Sequence, residues 1–181
     1  MERKSTNAFA VWITGLPASG KSTLATSLEA QLRQRGIDVA PLESDTLREK
    51  LTEHPRYDEE ERDNFYKQMT YMGALLTQHG VPVIFDATAN RRIYRDRARQ
   101  MIPQFVEVYV DSPLETCVAR DPKGIYRRAR EGKLTSVPGI QADYEPPYAP
   151  DVVVHGDRED ANVAARRVVM KLEELGYLET G

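Results

Sequence analysis

The sequence predicts an α/β fold built on a five-stranded parallel sheet with helices on both faces. The first observation is that short apolar runs alternate along the chain with longer amphipathic runs, which is the rhythm of β-α units. The second is that the run 81–87, VPVIFDA, is apolar on both faces, as a strand in the centre of a parallel sheet must be. A chain of 181 residues is expected to form a single domain, 1–181.

The first half of the chain is expected to hold strand 9–14, helix 21–35, strand 38–43, helix 46–51 and helix 58–79, in that order. In the first helix Leu24, Leu28 and Leu32 recur at helical spacing, and Gly36 ends it. The long helix ends at Gly80, and one of its faces is expected to carry the apolar side chains Met69, Met72, Leu75 and Leu76.

The second half is expected to hold strand 81–87, a basic helix at 91–101, strand 105–110, a helix from about 113, strand 151–155 and helix 160–175. The segment 121–150 is rich in proline, glycine and charge, and it predicts a mobile excursion from the sheet. We expect its main part, about 121–148, to act as a lid.

Composition narrows the choice of partners and compartment. The net charge of -3 argues against a protein that coats nucleic acid or an anionic membrane, because such binding needs an excess of Lys and Arg. The only cysteine, Cys117, can form no internal disulfide and is expected to be a buried thiol. The early apolar run FAVWI is too short for the core of a signal peptide, so a cytoplasmic enzyme is expected.

The stretch 15–22, GLPASGKS, carries the strongest motif, G-x-x-x-x-G-K-[ST], between a predicted strand and a predicted helix. Its glycines allow the backbone N–H groups to point at phosphate oxygens, and the helix N-terminus adds its positive dipole end. The motif therefore predicts a P-loop NTPase that binds ATP and Mg²⁺. The expected nucleotide-binding residues are Gly15, Ala18, Ser19, Gly20, Lys21, Ser22 and Thr23.

Within this site Lys21 is expected to reach the β- and γ-phosphates, while the Ser22 hydroxyl ligates the metal. Asp86, which closes the third strand, is the natural partner of Mg²⁺ and its waters. The alternative for Asp86 is an acidic cap of the following helix.

Asp45 and Arg48 follow the second strand and so should lie at the same edge of the sheet as the P-loop. A carboxylate there can take the proton of an attacking hydroxyl, and a guanidinium can hold the anionic groups of an acceptor. This pair favours a kinase over a nucleotide switch, which has no second anionic substrate. The alternative for Asp45 is a helix N-cap.

Several stretches together resemble adenylylsulfate kinase over residues 11 to about 150: WITGLPASGKST, ESDTLR, YDEEERDNF, VPVIFDA, PLETCVARDPKGIYRRAREGKL and GIQADYEPP. The specific part is RDPKGIYRRA together with the later GI and YEPP. The resemblance implies a P-loop fold of the nucleotide-kinase type and transfer of the ATP γ-phosphate to the 3′-hydroxyl of adenosine 5′-phosphosulfate. It also implies Mg²⁺, a role in sulfate assimilation and usually a homodimer.

Carried over by position, Asp45 matches the acid that faces the acceptor hydroxyl. Arg48 and Arg62 match arginines that hold the phosphosulfate, and Tyr57 matches an aromatic residue that stacks on the acceptor adenine. For Tyr57 a partly buried surface aromatic is the alternative. Lys123 falls in the lid.

Two further sets of basic residues lie in and next to the lid and on the basic helix. Closure of the lid is expected to bring two cations to the phosphates: Arg120, at its start, and Lys123, within it. The basic helix carries Arg91, Arg92, Arg95 and Arg99. These four form either a solvated face balanced by the acidic EEERD segment or, for the first one or two, an anion-holding group, and Arg92 is the candidate for acceptor binding.

The sequence departs from the family pattern at four points. Glu43 stands where the family has the first Asp of its D-G-D motif, and Ala89 replaces a serine that could be phosphorylated. Val137 replaces the second stacking aromatic, and Phe65 replaces an asparagine. These changes leave the acceptor base open, so a cytidine diphosphate derivative or a polynucleotide end remains an alternative acceptor.

Overall fold

The computed structural model describes residues 8–180. Residues 1–7 and 181 of the predicted domain lie outside the described residues. The strands are β1 (Ala10–Thr14), β2 (Ala40–Glu43), β3 (Val83–Asp86), β4 (Phe105–Asp111) and β5 (Val152–His155). The helices are α1 (Lys21–Gln34), α2 (Ser44–Leu51), α3 (Glu59–Gln78), α4 (Arg92–Met101), α5 (Leu114–Arg120), α6 (Ile125–Arg130) and α7 (Ala161–Glu174).

The five strands form one parallel sheet, as predicted, and their order in it is β2-β3-β1-β4-β5. From β1 the chain first builds the β2–β3 side of the sheet and then crosses to the β4–β5 side. The carboxyl end of β1 therefore lies where the direction of winding changes, which is the usual place for a ligand in such sheets. In this register Ile13 pairs with Asp86 and Thr14 with Tyr109.

Both faces of the sheet are covered, because successive side chains of a strand point to opposite faces. In β1, Val11 and Ile13 join a core with α1 and α7, while Trp12 joins a second core with α3 and α4. All three side chains are fully buried. Among residues 8–180, no helix has the length and apolar character needed to cross a membrane.

The predicted buried face is confirmed for α1 but is wrong in part for α3. In α1 the leucines Leu24, Leu28 and Leu32 are buried as expected. In α3 the prediction is wrong for Leu75, which is 45% exposed. The buried face of α3 instead runs through Phe65, Met69 and Gly73. The face that packs on the sheet is therefore rotated about the helix axis, by about one residue, from the predicted face.

The segment 121–150 is more ordered than its composition predicts, since it contains α6. Its Tyr126, Ala129 and Val137 form a small apolar cluster with Cys117 of α5, which confirms that Cys117 is buried. The Tyr126 hydroxyl donates a hydrogen bond to the carbonyl of Pro17 over 2.8 Å. The segment is thus attached to the P-loop at its beginning, and its mobility stays a prediction.

Substituting Gly73 with alanine is expected to destabilise the protein, even though alanine is the better helix former. A Cβ at this position would lie 2.1 Å from the Phe85 ring, and that ring is stacked on Trp12 at 4.5 Å between centroids. Relieving such overpacking costs about 1–3 kcal/mol of unfolding free energy, which urea denaturation would measure. The pair Gly73→Ala/Phe85→Leu should lose less than the sum of the single variants, and strict additivity would contradict the steric cause.

Candidate active site

Residues 15–22 form the turn between β1 and α1, where the sequence motif places a phosphate cradle. Gly20 is the N-cap of α1 with φ 110°, a left-handed conformation that favours glycine. A Cβ on Gly15 would lie 2.6 Å from the carbonyl oxygen of Val110, so only glycine allows this close approach. The first turn of α1 carries no acidic residue, which leaves its positive end available to an anion.

Lys21 is buried at the start of α1 with 8% of its surface exposed. Its Nζ donates a hydrogen bond to the carbonyl of Leu16 over 2.9 Å, across the mouth of the turn. Burial lowers the pKa of Lys21, while the carboxylates of Asp86 and Asp45 act in the opposite direction. The ammonium group is therefore held inside the turn by neutral and negative partners that phosphate oxygens can replace.

Ser22 and Asp86 meet beside this lysine. The Ser22 hydroxyl donates a hydrogen bond to Asp86 Oδ2 over 2.6 Å. Burial raises the pKa of Asp86, and Lys21 and the Ser22 hydroxyl oppose that rise. Because the N-cap of α4 is Arg91, the alternative of Asp86 as a helix cap does not hold.

The oxygens of Ser22 and Asp86 suit a hard cation such as Mg²⁺. Residues 8–180 hold no group of three or more His, Cys, Asp or Glu side chains that could hold a metal ion by themselves. That donor set fits a cation held by one or two protein oxygens together with phosphate and water, as magnesium commonly is in phosphoryl-transfer sites.

A cleft of about 630 Å³, here called the P-loop cleft, opens over this turn. Of the predicted nucleotide-binding residues, it is lined by Ala18, Gly20, Lys21, Ser22, Thr23 and Arg120. Gly15 and Ser19 shape the turn from below, since both are buried. The residues Gly156, Glu159, Asp160 and Ala161 also line the cleft. Sequence reasoning missed them, although they directly follow the last predicted strand.

A second cleft of about 460 Å³ adjoins the first. The residues that line both clefts are Pro17, Ser44, Asp45, Thr88, Lys123 and Ile125. The residues that line the second cleft alone include Arg48, Tyr57, Arg62, Tyr66, Asn90, Arg128 and Val137. The structure therefore brings the predicted acceptor residues Asp45, Arg48, Tyr57, Arg62 and Lys123 to one place.

Asp45 lies at the junction of the two clefts, with its side chain 62% exposed. Lys123 Nζ donates a hydrogen bond to Asp45 Oδ2 over 2.6 Å and lies 3.6 Å from Glu43 Oε1. The hydrogen bond to Asp45 is the main cause that raises the pKa of Lys123. The N-cap of α2 is Glu43, so the alternative of Asp45 as an N-cap does not hold.

Arg48 is buried in the wall of the second cleft and already has partners. Its guanidinium forms an ion pair with Glu61 and lies over the Phe65 ring at 4.0 Å and the Tyr57 ring at 4.9 Å from the centroids. Phe65, which departs from the family pattern, thus supports the guanidinium from below. Tyr57 is 37% exposed at the rim, which agrees equally with base stacking and with a partly buried surface aromatic.

Arg62, by contrast, donates its hydrogen bond to a neutral group within the described part of the chain. Its Nη2 donates a hydrogen bond to the backbone carbonyl of Ser136, in the lid segment. Burial lowers the pKa of Arg62, and the charge of Arg48 acts in the same direction. An anion in the second cleft would relieve both effects.

The basic helix α4 contributes little to either cleft. The structure places Arg92 away from both, where it donates to the carbonyl of Pro146 over 3.0 Å and covers the Tyr148 ring at 3.9 Å. Arg91 pairs with Glu59, and Arg99 pairs with Asp151 at 2.8 Å. Arg95 is fully buried beside Glu107, so the picture of a solvated basic face is wrong for this residue.

Comparisons with known proteins agree with this geometry. The family model described as adenylylsulphate kinase matches residues 7–155. The adenylyl-sulfate kinase of Microcystis aeruginosa is 40% identical over 168 residues, covering 93% of each chain. That of Rippkaea orientalis is 39% identical over the same length, again with 93% of each chain covered.

The solved structure of the Mycobacterium tuberculosis APS kinase in complex with AMPPNP and APS superposes on this chain with a TM-score of 0.87. The two share 33% sequence identity, and the match covers 92% of this chain and 98% of the other. Together with the P-loop, the five-stranded parallel sheet and the two adjoining clefts, these matches establish that the chain belongs to the adenylylsulphate kinase family.

Proposed function

We propose that this protein transfers the γ-phosphate of ATP to the 3′-hydroxyl of adenosine 5′-phosphosulfate, giving 3′-phosphoadenosine 5′-phosphosulfate for sulfate assimilation. The observation that carries the proposal is the junction of the two clefts, where Asp45 and Lys123 face both. A donor phosphate bound on one side and an acceptor hydroxyl bound on the other would meet there.

On the donor side, the N–H groups of residues 15–22 and the ammonium of Lys21 would hold the β- and γ-phosphates. Ser22 would ligate Mg²⁺ directly, and Asp86 would hold it through water. When bound, the magnesium ion neutralises charge on the phosphate oxygens. Because Lys21 is already buried and directed across the turn, little reorganisation is needed as charge develops.

On the acceptor side, Asp45 is placed to accept the proton of the 3′-hydroxyl as the oxygen–phosphorus bond forms and the bond to ADP breaks. Its present partner Lys123 would have to release it and turn toward the phosphoryl oxygens. Lys123 belongs to the lid, so closure of the lid over both substrates would provide that movement.

The anionic end of the acceptor would bind Arg62, whose partner is a neutral carbonyl that an anion can replace. Arg48 would act together with it, although Glu61 already offsets part of its charge. The base would stack on Tyr57. Val137 is buried in the lid cluster and offers no second aromatic face, so we expect the base to be held less tightly than between two rings.

The test is ADP formation by purified protein with MgATP and one of three acceptors: adenosine 5′-phosphosulfate, a cytidine diphosphate derivative or an oligonucleotide with free hydroxyl ends. We expect turnover with the sulfonucleotide to exceed the acceptor-free rate, and little or none with the other two. Background rates with adenosine 5′-phosphosulfate, or faster turnover with another acceptor, would overturn the assignment.

Replacing Arg62 with alanine is expected to raise the KM for the acceptor by about 10–100-fold, since a hydrogen bond to a charged group contributes about 1.5–3 kcal/mol. Neither kcat nor the KM for ATP should change much, because Arg62 lines only the second cleft. Steady-state kinetics with each substrate varied in turn would measure this.

Arg92→Ala is the matched control, since Arg92 was also a candidate for acceptor binding but lies outside both clefts. It should leave all three constants near their wild-type values. An equal rise in acceptor KM for the two variants would contradict the assignment of Arg62.

We further propose that the protein works as a homodimer in the cytoplasm. The resemblance to the family supports the first part, and a lone buried cysteine, which needs no oxidising compartment, fits the second. Light scattering coupled to size-exclusion chromatography would measure the mass, and a monomer at assay concentrations would contradict the dimer.

A further inference from the structure

The loop 87–90, between β3 and α4, carries two residues of the clefts: Thr88 lines both, and Asn90 lines the second. Three successive carbonyl groups of this loop accept hydrogen bonds from different parts of the fold. The carbonyl of Thr88 accepts from the Thr14 hydroxyl over 2.6 Å, that of Ala89 accepts from Arg95, and that of Asn90 accepts from the N–H of Glu145 over 2.7 Å. The loop is therefore held by β1, by α4 and by the segment 143–145.

Thr14, which donates the first of these bonds, is itself hydrogen-bonded to Tyr144. The Tyr144 hydroxyl lies 3.0 Å from Thr14 Oγ1. The single proton of Thr14 is already directed to the carbonyl of Thr88, which can only accept, so Tyr144 must be the donor in the second bond. The result is a chain from Tyr144 through Thr14 to Thr88, in which each bond polarises and strengthens the next.

Other contacts keep Tyr144 in place. Its ring is stacked on Tyr109, with 6.1 Å between centroids and 20° between planes. Arg95 Nη2 donates to the carbonyl of Glu145 over 2.6 Å, and Asn90 Nδ2 donates to the carbonyl of Asp143 over 2.9 Å. Arg95 itself is fixed by Glu107 at 2.8 Å in a buried pair. The segment 143–145, near the end of the lid, is thus bonded to the loop that lines the junction of the clefts.

We propose that Tyr144 is a positioning residue for phosphoryl transfer: its hydroxyl acts through Thr14 to fix Thr88 where the two clefts meet. The inference rests on the proposed function and adds a residue to it. In-line transfer requires the acceptor oxygen and the phosphorus to be aligned closely, and a small displacement at their meeting point is costly to the rate. Tyr144 itself lines neither cleft, so it would act on the rate only through the loop.

The test uses Tyr144→Phe, which removes one hydroxyl and keeps the stacked ring. We expect kcat to fall by about tenfold, with the KM for ATP near its wild-type value, because misalignment affects the transition state more than nucleotide binding. The matched control is Tyr109→Phe, which removes the hydroxyl of the other ring in the stack, bonded to Asp111 Oδ1 at 3.2 Å. It should leave kcat unchanged.

A double-mutant cycle with Thr14→Val separates positioning from a general loss of packing. If Tyr144 acts through Thr14, the double variant should have the kcat of Thr14→Val alone, since the second bond has already been removed. Losses of kcat that multiply, or a Tyr144→Phe variant with wild-type kcat, would overturn the proposal. Thermal unfolding of each variant confirms that the rates refer to folded protein.

Hydrogen exchange gives a readout that does not depend on the acceptor. The N–H of Ala89 donates to the Tyr66 hydroxyl over 3.0 Å, and we expect Tyr144→Phe to speed its exchange by about tenfold while Tyr109→Phe does not. Unchanged exchange would overturn the proposal even where wild-type transfer is observed. Conversely, absence of wild-type transfer to adenosine 5′-phosphosulfate, with exchange changed as expected, would overturn only the proposed function.

Discussion

Replacing Lys21 with alanine is expected to lower kcat by about 10²–10³-fold, the loss that follows removal of one preorganised donor from a transition-state site. Lys21 is buried at the base of the P-loop cleft, close to the Ser22–Asp86 pair. Solvent screens it less there than at the surface, so its attraction to a transferring phosphoryl group is stronger than that of a surface lysine. Turnover at saturating MgATP and acceptor would measure the loss.

Two further variants make this expectation sharper. Lys21→Met keeps the apolar stem without the charge, and it should lose nearly as much activity as alanine if the ammonium is what matters. Lys50→Ala removes an exposed lysine of α2 that lines neither cleft, and it should behave as wild type. A kcat for Lys21→Met within about tenfold of wild type would contradict the proposed electrostatic role.

The fold could be predicted from local patterns because each pattern has one physical cause. The run 81–87 is apolar on both faces since β3 is buried on both, and Leu24, Leu28 and Leu32 share a face because α1 packs on the sheet. The order of the strands and the helix α6 were beyond this reasoning. α6 is six residues long and is stabilised by the burial of Tyr126, whose hydroxyl bonds to Pro17, 109 positions earlier, and no local pattern shows this contact.

At the site, residues that a particular backbone conformation requires could be predicted from the sequence, whereas the partners of charged side chains could not. The P-loop backbone requires glycine at positions 15 and 20, and the motif in the sequence identifies both. The sequence does not show that Arg48 pairs with Glu61, or that Arg95 is buried against Glu107. A sequence does not distinguish an arginine that binds substrate from one that stabilises the fold. That distinction depends on which carboxylates lie next to the guanidinium in the folded protein.

The role inferred for Tyr144 also could not be predicted from the sequence. It lies within the YEPP stretch that carries the family resemblance, yet its hydroxyl reaches a β1 residue 130 positions earlier in the chain. A pattern of neighbouring residues cannot reveal such a contact. The positioning role of Tyr144 therefore depends on a long-range hydrogen bond, which the YEPP motif does not encode by itself.

The second large effect is expected from Asp45→Asn, which should lower kcat by about 10²–10⁴-fold, the usual contribution of a positioned acid or base. Asparagine keeps the size of the side chain and its place at the junction of the clefts but cannot take a proton from the acceptor hydroxyl. Binding of a non-hydrolysable ATP analogue, measured by calorimetry, should weaken far less than turnover, because the phosphates are held mainly by residues 15–22.

Lys123→Met distinguishes a base from a residue that merely anchors the lid. Both substitutions remove the ion pair between Lys123 and Asp45, so a role limited to that pairing predicts similar losses. A role as base predicts that the single-turnover rate with both substrates bound is much lower for Asp45→Asn than for Lys123→Met. Equal single-turnover rates for the two variants, or equal losses in turnover and in nucleotide affinity for Asp45→Asn, would remove Asp45 from the chemical step.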